Sequence, residues 1–396
     1  MNYELLFPGR IVFGWGMRAR VADWAKRLGG RVFLVTGSRT LEQAGVFDEI
    51  RNQLTDAGLI THCLPIVQRE PECIDVDRAV QSVQQIRGSD SSPGDLVVAI
   101  GGGAAIDLGK AVAALVENAL WPAQQVSVRD FLEGVGTGKT IERPPLPLIA
   151  LPTTAGTGAE ATKNAVISSV DPPFKKSLRS DRMLPTVAII DPELTVSNPQ
   201  SVTAAAGMDA VTQLIESAVT LKTNAFTQSF CWEGLRHARW ALREAYDCPT
   251  SRPAREAMAH AALLSGLALA NSGLGLAHGV AAALGIHCGI PHGLACATLL
   301  PVAVRENLPV RRSEFAAIGR ILVDRPDLIE AVAADEALRW IEETAAHLQI
   351  PRRLRDLGVR QEQLPDIARD SRGNSLSGNP RSISPEELSR ILQEVW

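Results

Sequence analysis

Three groups of residues in the 396-residue sequence have types and spacings that could do chemistry. In AAAGMDAVTQLIES, Asp209 and Gln213 stand four positions apart and so share one face of a helix, among neighbours that are mostly Ala, Val, Leu and Ile. A carboxylate in such surroundings needs a partner. His278 in GLGLAHG and His292 in GIPHG offer two imidazoles within an apolar region. One aspartate and two histidines can hold a divalent metal and leave a coordination position open. The same residues would equally suit a buried aspartate capping a helix beside two histidines bonded to backbone.

The second group is GGGAAIDLGK at 101–110, directly after the apolar run DLVVAI and directly before a helical pattern. Gly101, Gly102 and Gly103 lack Cβ atoms, so their N–H groups can approach a pyrophosphate, and the following helix adds the positive end of its dipole. The third group, LPTTAGTGAEAT at 151–162, places Thr153, Thr154 and Thr157 beside glycines where another strand should end. Hydroxyls and bare backbone at that end of a strand suit a ligand crevice. Together the two loops point to a dinucleotide. FGWG at 13–16 lacks a third glycine and a following helix, and is expected to be a turn.

The elements that must position these groups follow from periodicity. Val- and Ile-rich runs closing on Gly, Pro or Thr occur at Arg31–Gly37, Asp95–Gly103, Pro147–Thr154 and Thr186–Pro192, as buried parallel strands do. Helical patterns such as Val76–Ile86 and Ala104–Val116 alternate with them. Residues 1–198 are therefore expected to form a Rossmann-like α/β domain, and DPELTVSNPQS marks the boundary. Beyond it the period becomes 3.6, so residues 199–396 are expected to be all-helical. From Ala257 to Val304 there is no charged residue, counting histidine as neutral, but four histidines, seven glycines and Pro291 interrupt the run. It reads as buried helices, with no membrane span.

Forty basic against 44 acidic residues, without a basic block, exclude a nucleic-acid footprint. The six cysteines show no C-x-x-C spacing, and MNYELLFPGRIVFG has neither a basic leader nor a cleavage site, so a reduced, cytoplasmic protein is expected.

In order and spacing, GGGAAIDLGK, PTTAGTGAEAT, DPELT, GMDAVTQLIE, LGLAHGVAAALGIHCGIPHG and NPR at 379–381 resemble the iron-containing, or metal-dependent, alcohol dehydrogenase family over nearly the whole chain. The resemblance implies a dehydroquinate synthase-like fold: a nucleotide-binding domain, a helical domain, and a cleft holding metal, nicotinamide and substrate. It implies Fe²⁺ or Zn²⁺ at the positions that are here Asp209, Gln213, His278 and His292, of which Gln213 replaces the family's histidine. An amide oxygen is a harder donor than imidazole, so affinity for a borderline metal should fall. Glycerol dehydrogenases look similar and use three ligands; maleylacetate reductases look similar and lack the metal. The proton-relaying histidine of many members is here Ala282, with His287 nearby as a substitute.

The resemblance further implies that Gly101–Gly103, Asp107, Thr153, Thr154 and Thr157 grip the cofactor. NAD-preferring members usually place an aspartate after the second strand, where this chain has Gly37, Ser38 and Arg39. Without that carboxylate, and with N–H, hydroxyl and guanidinium donors instead, NADP is favoured over NAD. The expected activity is metal-dependent interconversion of a small alcohol and its aldehyde or ketone by a homodimer. The alternative is a metal-free reductase of an unsaturated or keto acid.

Overall fold

The computed structural model describes residues 3–37, 43–67, 69–88, 94–119 and 126–396. The chain divides into two compact units. One comprises Leu6–Thr154 and Gly158–Ser197; the other comprises Asn198–Trp396 with Met1–Leu5 and Ala155–Thr157. The threonine-rich stretch is thus shared, Thr153 and Thr154 falling in the first unit and Thr157 in the second.

The first unit is built on parallel strands β1 (Ile11–Phe13), β2 (Arg31–Thr36), β3 (Ile60–Cys63), β4 (Asp95–Gly101) and β5 (Leu148–Pro152). A hairpin of β6 (Asn164–Val170) and β7 (Pro173–Arg179) precedes the last parallel strand, β8 (Val187–Ile190). The sheet order is β1-β8-β5-β4-β2-β3. All four anticipated strands are present, buried along their whole length as strands covered on both faces must be. Sequence pattern did not reveal β1, β3 or the hairpin. The first two are edge strands of three and four residues, partly exposed, and the hairpin alternates buried with half-buried positions.

Helices α1 (Val21–Leu28), α2 (Val46–Asp56), α3 (Cys73–Arg87) and α4 (Gly103–Asn118) cover the sheet. Trp24, Ile50 and Leu54 fill one face; Val76, Val80, Leu108 and Val112 fill the other. From β2 the chain runs outward to β3, whereas from β4 it runs the other way to β5. The strand order therefore reverses between β2 and β4, and crevices for ligands form at such a reversal, beyond the carboxyl ends of the strands.

The register of those two strands is pinned at their opposite ends. Arg31 and Asp95 are direct partners in the ladder, and both side chains are buried. The Arg31 guanidinium donates to Asp95 at 2.6 Å, while Arg87 at the end of α3 lies 2.7 Å from the other carboxylate oxygen.

The second unit is helical: α5 (Gln200–Val219), α6 (Ala225–Asp247), α7 (Arg252–Ala270), α8 (Leu276–Cys288), α9 (His292–Asn307), α10 (Arg312–Leu322), α11 (Glu330–His347), α12 (Leu364–Asp370) and α13 (Pro385–Val395). Among the described residues no strand follows Ile190. The charge-free stretch is divided among α7, α8 and α9, most of whose residues are buried. No helix is long and apolar enough to cross a membrane, among the described residues.

Removing Asp95 would leave two guanidinium groups without the carboxylate they share. Asp95→Ala should cost roughly 3 kcal/mol of stability, measured by denaturant unfolding, because breaking a buried pair leaves a charge uncompensated.

Candidate functional site

Helix α5 carries three polar side chains on one face: Asp209, then Gln213 one turn on, then Glu216 a second turn on, all buried. Glu216 organises the surroundings. Its carboxylate accepts from the N–H groups of Gly275 (3.0 Å), Ala277 (2.7 Å) and His278 (3.4 Å), so it caps the amino end of α8 from another helix. It also meets Nδ1 of His278 at 2.7 Å. A carboxylate only accepts, so Nδ1 is the protonated nitrogen. In the neutral imidazole, Nε2 is then left with its lone pair facing away from Glu216.

Asn379 completes this cap. Its Oδ1 accepts from Leu276 N–H at 3.1 Å and from the Asn307 amide at 2.8 Å, and its own amide donates to Asn307 Oδ1 and to the Arg381 carbonyl, each at 2.8 Å. The NPR segment thus fixes the turn before α8. Gly275 must be glycine there, since a Cβ would lie 2.8 Å from Asn379 Oδ1 and 3.0 Å from Glu216 Oε1.

His278 Nε2 points back to α5, where Oδ1 of Asp209 lies 3.3 Å away. Both atoms are buried and neither makes a hydrogen bond. His292, the first residue of α9, brings its ring to 5.4 Å from that of His278, centroid to centroid. Cys296, one turn along α9, sets its sulfur 3.7 Å from His292 Nε2. Donor atoms of Asp209, His278, His292 and Cys296 all lie within 4.8 Å of one another.

Electrostatics favour a cation here. Burial alone would raise the Asp209 carboxyl, but His278 and His292 outweigh it and hold it below the ordinary aspartate range. Burial opposes a charge on His278, yet Cys296, Asp209 and Glu216 carry its pKa well above the usual value. The Cys296 thiol is pushed up to about 12 by burial.

The remaining expected site residues are placed as follows. Both ends of the Gln213 amide are engaged by other groups: its Oε1 accepts from the Ser265 hydroxyl at 2.9 Å and its Nε2 donates to the Thr157 carbonyl at 3.2 Å. His287 does not join the cluster either. It lies about 13 Å along the axis of α8 from His278, near the other end of the helix, with Nε2 2.7 Å from Asp370. Glu216 and Cys296 were missed by sequence reasoning. A signal existed for both: Glu216 continues the face of Asp209 at seven residues, and Cys296 follows His292 by four. A second set of possible donors, Glu233, His237 and His260, sits on a partly exposed face, where Glu233 also pairs with Arg236.

In the first unit the glycine loop closes β4 at the strand reversal. Gly101 has φ +151°, which L side chains rarely adopt, and a Cβ would lie 2.6 Å from that of Ala105. Gly102 precedes α4 and no side chain caps it, so the first N–H groups of a 16-residue helix are open to an anion. Thr153 N–H donates to the Gly101 carbonyl at 2.9 Å, and Thr154 packs beside Gly102.

Asp107 is committed within the fold: its carboxylate accepts from Val166 N–H at 2.9 Å and lies 3.8 Å from the Lys110 ammonium. Burial raises it to about 6 and lowers Lys110 to about 8. Gly37 has a packing reason of its own, because a Cβ would stand 2.8 Å from the Val67 carbonyl. Ser38 and Arg39 fall outside the described residues.

Comparison with known proteins agrees with both halves. Residues 8–192 match the family described as iron-containing alcohol dehydrogenase, and residues 203–396 match its C-terminal family. The chain belongs to the iron-containing alcohol dehydrogenase family. It is 31% identical to the 1,3-propanediol dehydrogenase of Citrobacter freundii over 100% of this chain and 99% of that protein. It is also 31% identical to the lactaldehyde reductase of Escherichia coli (strain K12), over 97% of each. A solved structure of sulfoacetaldehyde reductase from Bifidobacterium kashiwanohense in complex with NAD⁺ superposes with a TM-score of 0.85 at 28% identity, covering 100% of this chain and 99% of that one. As a member of this family, the protein is an oxidoreductase that interconverts alcohols and their carbonyl partners with a nicotinamide cofactor.

Glu216→Gln would set an NH₂ group against N–H donors that now share two oxygens. It should lower stability by about 2 kcal/mol, read from chemical unfolding, because at least one buried donor loses its acceptor.

Proposed function

We propose that this dehydrogenase works with a divalent metal, Fe²⁺ or Zn²⁺, held by Asp209, His278 and His292. The observation that supports this most directly is the pair of buried, unbonded donor atoms, Asp209 Oδ1 and His278 Nε2, facing one another at 3.3 Å. A carboxylate oxygen and an imidazole nitrogen facing one another this closely need a positive charge between them, a proton or a metal ion, and a further imidazole beside them, on a third helix, favours the metal. A divalent cation bound there acts as a Lewis acid that polarises a carbonyl or stabilises an alkoxide.

The chain's own contribution is orientation. Glu216 fixes the His278 tautomer and ring plane, as carboxylates behind metal-binding histidines do. The cap on α8 fixes the backbone from which His278 projects. Burial of the cluster excludes bulk water, which strengthens every charge interaction within it.

For the cofactor, Gly101, Gly102 and Gly103 with Thr153 and Thr154 would receive the pyrophosphate at the amino end of α4. Asp107 supports this loop through the hairpin, and Gln213 and Thr157 brace one another through their hydrogen bond. We favour NADP(H), on the absence of a carboxylate at Gly37 and the guanidinium of Arg39. The close approach of Gly37 to Val67 makes Arg39 the better place to test that preference. The substrate is a small alcohol or its carbonyl partner, a homodimer is the assembly implied by the family resemblance, and cysteines without C-x-x-C spacing suit the cytoplasm.

Two experiments check this. His292→Ala should lose bound metal and turnover together, by metal analysis and steady-state kinetics; an active, metal-free wild type would overturn the metal assignment. Arg39→Ala should weaken NADP(H) about tenfold and leave NAD(H) nearly unchanged, a difference of about 1.4 kcal/mol. A wild type that prefers NAD(H) would overturn the cofactor preference and leave the dehydrogenase standing.

A further inference from the structure

The family's second metal-binding position on α5 is Gln213 in this chain, and the structure ties both ends of its amide to Ser265 and Thr157. We propose that Cys296 supplies the missing fourth protein ligand, as a thiolate, so that the site is Asp-His-His-Cys. The proposal rests on the reading of Asp209, His278 and His292 as metal ligands.

The geometry carries it. With metal–nitrogen and metal–oxygen bonds of about 2.0 Å and a metal–sulfur bond of about 2.3 Å, tetrahedral angles put nitrogen and oxygen about 3.3 Å apart and sulfur and nitrogen about 3.6 Å apart. The two edges seen are 3.3 Å, from His278 Nε2 to Asp209 Oδ1, and 3.7 Å, from Cys296 Sγ to His292 Nε2. The four side chains come from three helices, α5, α8 and α9, and all their donor atoms lie within 4.8 Å of one another. Spacing along α9 provides the means, since residues 292 and 296 are one turn apart and project from the same face.

A buried cysteine is usually a small apolar filler. Cys231 is that case in this chain: it is fully buried on α6 and stands in neither group of converging donors. Cys296 differs in having three other ligand-type side chains around its sulfur.

The replacement also has a chemical direction. Thiolate is a softer donor than imidazole, so the set Asp-His-His-Cys should favour Zn²⁺ or Co²⁺ over harder ions. On binding, the thiol proton leaves to solvent and the sulfur–metal bond takes its place; no electron is transferred.

The test titrates metal-free full-length protein with Co²⁺ and follows absorption. The wild type should show the intense near-ultraviolet charge-transfer band of a cobalt thiolate together with the visible bands of tetrahedral cobalt. Cys296→Ser should lose the charge-transfer band, and its Zn²⁺ affinity in competition with a chelator should fall about tenfold or more, as even indirect metal partners are worth that much. Cys231→Ser should keep the band. Cobalt bound to the wild type without a thiolate band, or a band that survives in Cys296→Ser, overturns the inference and leaves the three-ligand site standing. Failure of the wild type to bind cobalt overturns both. Should Cys296→Ser not fold, Cys296→Ala takes its place, and a band that survives there overturns the inference in the same way.

Discussion

One carboxylate, that of Glu216, joins the parts of the helical unit on which the site depends. It is buried on α5, yet what it binds belongs to α8: three backbone N–H groups and one imidazole nitrogen. A lone buried carboxylate would be prohibitively costly, and here every oxygen meets donors, with the positive end of a helix dipole directly before it. The same contacts that satisfy Glu216 set the distance between α5 and α8 and the rotation of α8 about its axis. His278 is then aimed at Asp209 without any further requirement on its side chain. The capping asparagine, Asn379, and its partner Asn307 secure the turn from the opposite side, which explains why a C-terminal tripeptide bears on a site built from residues far earlier in the chain.

Against this fixed frame, Cys296 as a ligand would take the role that the family gives to position 213. Glutamine at position 213 has the length to reach a neighbour and two polar ends to satisfy. In a buried setting those ends pair with the nearest complementary groups, a hydroxyl and a carbonyl, each at ordinary hydrogen-bond distance. Once so bound, the amide ties α5 to α7 and to the segment Ala155–Thr157. Those bonds make it a packing device. Helix α9 presents His292 in its first turn, and the next residue on that face is a cysteine.

Much of this was legible in the sequence. Four buried strands announced themselves because a strand covered on both faces must be apolar throughout, and the glycine loop because a helix follows it without a cap. Asp209, His278 and His292 stood out as polar residues in an apolar helical region. What was not legible depended on distances that sequence spacing does not encode. Glu216 looked like any helical glutamate until α8 was seen to begin beside it, and Cys296 looked like a free thiol until three other donors surrounded it. His287 drew attention by standing near Ala282, where many members carry a relay histidine; the helix carries it about 13 Å from His278 instead, to Asp370. Gly37 showed the reverse error, where a residue read only for cofactor choice also has a close backbone contact to respect.

Charge closes the argument about the site. Aspartate with three neutral imidazoles leaves a divalent ion with one net positive charge, whereas aspartate and thiolate with two imidazoles leave none. The buried Glu216 carboxylate behind His278 adds a further negative charge to either set, so the thiolate set would gain from the stronger attraction between an anionic sulfur and the cation rather than from neutrality. The added negative charge of a thiolate would reduce the pull on a developing alkoxide, since stabilisation of that charge grows with the residual positive charge opposite it. A thiolate on α9 in place of the histidine lost from α5 would thus shift the balance from polarising power toward retention of the ion. The carboxylate of Glu216 pushes in the same direction, because an imidazole hydrogen-bonded to an anion is the stronger donor.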